Sequence, residues 1–66
     1  MSWNTLPPDR KALATERLTP RQLRILQDRL NGHSWRTIAT ALHIHEATAR
    51  GHYKAALDRL ARKDAA

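Results

Sequence analysis

The sequence predicts an all-α fold, a bundle of three or four helices in 66 residues. Three observations predict it. Apolar residues recur at spacings of three and four rather than alternating, which is the helical period and leaves no segment that reads as a strand. Prolines, glycine and capping hydroxyls fall at intervals suited to opening and closing such helices. Cysteine is absent, so neither a disulfide nor a thiolate metal site holds the chain together, and helix packing must do so. A single domain over residues 1–66 is expected, small enough that it buries only about 60% of the surface of its unfolded chain.

Residues 1–7 read as an N-terminal tail containing Trp3 and ending at Pro7-Pro8, which favours extended backbone. Pro8 suits the first position of a helix, and Asp9 offsets the positive end of its dipole. A short helix is therefore predicted over 8–17, with an apolar face of Ala12 and Leu13 completed by Leu18. Thr19-Pro20 marks a firmer start, with a hydroxyl cap and a proline where a missing N–H costs nothing. The helix predicted over 19–31 sets Leu23, Leu26 and Leu30 on one stripe with Ile25 beside it. Asn31-Gly32 ends it, glycine taking the left-handed position. Ser34 caps a helix over 34–42 that turns Ile38, Ala39 and Leu42 inward. His43, Ile44 and His45 lead into the last helix, 46–62, roughly 25 Å long at the standard rise. Its expected inner stripe is Ala49, Tyr53, Ala56, Leu57 and Leu60.

Twelve Lys and Arg against six Asp and Glu give a net charge of +6. On so small a domain that field has nucleic acid as its ordinary partner. No apolar run approaches the ~20 residues of a membrane span, and the N-terminus lacks a basic-then-apolar leader. No membrane partner is expected, and a cytoplasmic, nucleoid-associated protein is. Opening at Met1 without a tag-like segment, the chain is expected to be a whole natural product.

The stretch from 34 to about 54 is a short helix, a tight turn and a longer helix with many exposed polar groups. This is a helix-turn-helix, the unit that presents its second helix to the DNA major groove. Ala39 and Ala49 are small enough for close crossing, Ile44 plugs the turn into the core, and Leu42 and Tyr53 brace the pair. The face left over on the last helix shows Glu46, Ala47, Arg50, Gly51 and Lys54. The topology expected is winged-helix-like but without strands.

Over residues 18–60 the chain resembles the DNA-binding domain of LuxR-type (GerE-like) transcriptional regulators and, nearly as well, region four of bacterial sigma factors. The resemblance rests on Leu18-Thr19-Pro20-Arg21-Gln22, Ile25-Leu26, Gly32, Ser34, Ile38-Ala39, Leu42, Ile44, Thr48, His52 and Leu60. It implies that 46–62 is a recognition helix. Arg50, Gly51, Lys54 and Ala47 then fall where such domains meet base edges, Arg50 being suited to a bidentate contact with guanine. Ser34, Trp35, Arg36, Thr48, Arg21 and His45 fall where phosphates are met, contacts that fix register without reading sequence.

Several residues depart from the family pattern. His43 replaces a turn glycine at a position that needs positive φ, and His45 replaces a serine cap. Thr37 replaces the glutamate that would complete a capping box with Ser34. Ala49 stands for valine, Asp28 for leucine, and Gly51 weakens its helix. LuxR-type domains usually add a helix that forms the dimer contact, whereas this chain runs out as ALDRLARKDAA, more in the manner of sigma region four. A homodimer is still an expected partner state, through the helix at 8–17 or the end of the last helix.

Four histidines, His33, His43, His45 and His52, match no zinc spacing, so no metal or other cofactor is expected. Glu46 and His52 are six residues apart and not neighbours on a helix surface, and no nucleophile has a supporting base, so no enzyme is expected. The expected function is sequence-specific binding of double-stranded DNA by a bacterial or phage transcriptional regulator. One alternative is a sigma-region-four-like module binding RNA polymerase or a sigma-related partner, marked by an exposed patch of Trp3, Leu13 and Leu18. A DNA packaging or recombination accessory protein is the other.

Overall fold

The computed structural model describes residues 2–62; residues 63–66, which close the run-out segment, and Met1 lie outside the described residues. A 3-10 turn (Trp3–Thr5) precedes four helices: α1 (Pro8–Arg17), α2 (Pro20–Leu30), α3 (Trp35–Leu42) and α4 (Glu46–Ala61). No strand occurs among the described residues. The fold is all-α, and α3 with α4 forms a helix-turn-helix.

Each start has a local cause. Pro8 and Pro20 occupy the first turns of α1 and α2. Thr19 does more than cap. Its Oγ1 accepts from the Gln22 N–H at 3.2 Å, and Gln22 Oε1 accepts from the Thr19 N–H at 3.1 Å, a complete capping box. Ser34 Oγ accepts from the Thr37 N–H at 3.1 Å. Thr37 cannot return the bond as glutamate would; its Oγ1 instead accepts from the Ser34 hydroxyl at 2.9 Å. Gly32, at φ 90°, turns the chain out of α2.

The core forms as two clusters. Ile25, Ile38, Ala39 and Ala49 are buried where α2, α3 and α4 meet, with Trp35, Leu42, Ile44 and Tyr53 packed around them. Ala14, Leu18, Leu26 and Ala56 are buried where α1 joins α2 and α4, flanked by Trp3, Leu23, Leu30, Tyr53 and Leu60. Tyr53 belongs to both and joins them. Ala49 and Ala56 are completely buried, so α4 reaches its neighbours through methyl groups and the backbones can lie close.

Two sequence expectations need correction. The buried alanine of α1 is Ala14, not Ala12; the two point about 200° apart around the helix, so seating Ala14 and Leu18 turns Ala12 out. Leu57 is 43% exposed rather than part of the inner stripe, because Ala49, Tyr53, Ala56 and Leu60 face α2 and leave Leu57 at the flank. In the N-terminal tail, the Trp3 N–H donates to Asn31 Oδ1 at 3.0 Å while its ring packs on the core. Leu13, half-buried, lines an apolar groove of about 450 Å³ with Leu6, Leu26, Leu30 and Leu60.

Candidate nucleic-acid interface

The geometry of the site begins at the three-residue turn. His43 sits at φ 56°, ψ 44°, the left-handed region that a side chain enters at a cost. This conformation lets the Ile44 N–H donate to the Ala39 carbonyl at 3.0 Å, which closes α3 and drops Ile44 onto the Ala39–Ala49 crossing. Arg21 of α2 reaches the same place, its Nη1 donating to the Leu42 carbonyl at 3.4 Å. His45 then returns to extended backbone, and α4 begins without a side-chain cap.

α3 is held against α4 by a stack of rings and charge. Trp35 and Tyr53 meet edge to face with centroids 5.3 Å apart. Arg29, on the last turn of α2, lies 4.6 Å from the Trp35 ring centroid in a cation–π contact and donates to the His33 carbonyl at 2.9 Å. Arg29 and Tyr53 thus set the angle of the α3 N-terminus. The sequence reading assigned Arg29 no role; its signal was an arginine and a tryptophan facing each other across the Asn31–Ser34 turn. Trp35 itself is half-buried, so its ring serves first as a brace between α2 and α4.

The residues expected at base edges share one surface. Ala47, Arg50, Gly51 and Lys54 are all exposed, and their spacing of three and four places them together on the outer side of α4, opposite Ala49 and Ala56. Arg50 faces Glu46 one turn earlier, Nη1 to Oε1 at 3.9 Å, with both side chains about half exposed. A Cβ at Gly51 would meet nothing within 4 Å. Of the residues expected at phosphates, Ser34 and Arg36 lie exposed at the α3 N-terminus, His45 and Thr48 at the α4 N-terminus, and Arg21 by the turn.

The surface around the turn is predominantly basic. Between Asp28 and Asp58 the chain contains four Lys or Arg residues, Arg29, Arg36, Arg50 and Lys54, and Glu46 is the one acidic residue. The four histidines do not gather: no group of three potential metal ligands forms among the described residues. No helix among them is long and apolar enough to cross a membrane.

The model of the family described as bacterial regulatory proteins, luxR family (GerE), matches residues 16–65. No curated protein and no solved structure matches the chain.

Proposed function

Since the chain belongs to the LuxR family of bacterial regulatory proteins, and so to a class of helix-turn-helix DNA-binding regulators, we propose that it binds double-stranded DNA sequence-specifically with α4 in the major groove. The observation that carries this reading is the outer stripe of α4. Two long cations, Arg50 and Lys54, flank Ala47 and Gly51, which have almost no bulk. Such a stripe lets a helix approach base edges closely while its cations reach sideways to them. Arg50 reads guanine through its fork, and Lys54 joins it at base edges. Ser34, Arg36, Thr48, His45 and Arg21 border the stripe on the phosphate side, and Trp35 sits beside them. On this reading the protein acts at the nucleoid as a regulator of transcription.

A module of this size covers modest DNA surface, so tight specific binding calls for two copies on neighbouring half-sites. Mass measurements on the free and DNA-bound protein test this. A strict monomer in both would remove the dimer from the proposal.

Docking on a protein as the main function fares less well. It calls for Trp3, Leu13 and Leu18 as an exposed patch, yet Leu18 is only 7% exposed and the other two are half-buried. The deciding experiment is selection from a genomic fragment library, followed by affinity across a salt series for the wild type, Arg50→Ala and Lys54→Ala. A shared motif that Arg50→Ala blurs supports α4 as the reading element. Loss of a phosphate contact lowers the salt slope by about one without changing preference. Equal binding to all fragments, unaltered by either substitution, overturns the reading and turns attention to RNA polymerase.

A further inference from the structure

At the start of α4 the surface offered to DNA contains a group that works against binding it. Glu46 is the single carboxylate in the 29 positions between Asp28 and Asp58, and it stands on the first turn of α4, exposed. Its contribution to the helix itself does not require this residue type, because the first position of a helix accepts many side chains and the dipole effect is small at an exposed site. Any phosphate brought to the start of α4 is repelled by it. Its neighbour one turn on is Arg50, 3.9 Å away.

We propose that Glu46 is a specificity-determining residue: it orients Arg50 along α4 toward base edges and opposes the swing of that guanidinium to a phosphate. The proposal rests on the major-groove reading given above. On a non-cognate duplex Arg50 has no guanine to meet, and its alternative is a phosphate oxygen. Taking that alternative separates it from Glu46 and leaves the carboxylate facing the polyanion alone. On the cognate site the guanidinium meets the guanine edge in the groove while staying near Glu46, so the pair is kept and the carboxylate remains compensated. Arg29 is committed to the Trp35 ring and the His33 carbonyl, and Arg36 has no carboxylate one turn away on its own helix. Lys54, though four residues before Asp58 on α4, makes no ion pair with it, whereas Arg50 pairs with Glu46. Arg50 is therefore the recognition-surface cation whose choice between base and backbone a carboxylate controls.

The test compares the selected duplex with a scrambled one of the same length, by fluorescence anisotropy from 50 to about 300 mM salt, a range over which phosphate contacts are resolved by slope. The proteins are the wild type, Glu46→Gln, Glu46→Asp, Arg50→Ala and the double variant Glu46→Gln/Arg50→Ala, each checked for helicity. Glu46→Gln is expected to tighten scrambled DNA more than selected DNA, cutting the affinity ratio on the order of tenfold, the worth of about one bidentate base contact. It should also steepen the salt slope on scrambled DNA by about one. Glu46→Asp keeps the charge but shortens the reach to Arg50, and should recover only part of the ratio. In the Arg50→Ala background, Glu46→Gln should leave the ratio unchanged. If Glu46→Gln leaves the ratio and slope at wild-type values while Arg50→Ala collapses the ratio, the role of Glu46 is overturned and the recognition helix stands. If neither substitution alters the ratio, both are overturned.

Discussion

Two histidines bracket the turn, and the backbone treats them differently. His43 occupies the left-handed region, where an L-residue pays roughly 1–2 kcal/mol that glycine does not. Glycine in turn loses about 0.4–1 kcal/mol through its freer unfolded chain. His43→Gly is therefore expected to stabilise the domain by a few tenths to about 1 kcal/mol, whereas His43→Val, branched at Cβ, should destabilise it by more than the histidine strain. Urea midpoints of the three proteins decide this, and a less stable glycine variant would mean that the imidazole makes a compensating contact. His45 poses the opposite problem. Its backbone, φ −75° and ψ 152°, is nearly that of Thr19 and Ser34, which do cap their helices. Only the hydroxyl is missing. His45→Ser should add about 1 kcal/mol, the usual value of such a cap, and a gain below about 0.3 kcal/mol would contradict the geometry.

At the level of the element, α4 combines stability and function unequally along its length. Its buried side consists of alanines at the crossing, and its outer side holds a glycine in mid-helix with open space around it. Gly51→Ala should therefore raise stability by about 0.5–1 kcal/mol. If α4 lies in the major groove at Gly51, the same methyl should weaken binding to the selected duplex. A thermal melt and a titration on one preparation separate the two effects; a variant that is both more stable and equally tight would place Gly51 away from the DNA. The helices were legible from sequence where the signal is local: Thr19-Pro20, Asn31-Gly32 and Ser34 act through neighbouring backbone groups. The left-handed turn at His43 and the outer stripe of α4 were legible too, the first through the family resemblance and the second through spacing. What escaped depends on distant partners. The 3-10 turn at Trp3 is held by Asn31, 28 residues away, and the Arg29–Trp35–Tyr53 stack joins three helices. Ala12 and Ala14 look alike in a pattern of apolar residues, and only the position of α4 decides which is buried. Leu57 was misplaced for a related reason: a helix surrounded on one side leaves its flanking leucine outside.

For the molecule as a whole, charge sets stability against binding. A net charge of +6 on 66 residues repels itself in the compact state. Ion pairs offer little relief, since pairs such as Arg24–Asp28 and Arg50–Glu46 lie within one helix and at the surface, where each contributes a small fraction of the total. Among the described residues the core is built from eight buried side chains, four of them alanine, so the margin that repulsion erodes is narrow. Added salt should accordingly do opposite things to the two properties. Screening shortens the Debye length from about 10 Å at 0.1 M to about 3 Å at 1 M, which relieves repulsion in the free protein and raises its Tm. About 1 kcal/mol of relief corresponds to roughly 4–8 °C for a domain of this size. Over the same range, affinity for duplex should fall steeply, because each phosphate contact loses its counterion-release advantage. Thermal melts of the free protein and of its DNA complex at a fixed duplex concentration would show the crossing: Tm of the free chain climbs with salt while that of the complex descends toward it. A free-chain Tm that drops with sodium chloride would show instead that attractive pairs outweigh repulsion, and that the excess positive charge is already balanced within the fold rather than held open for a polyanion.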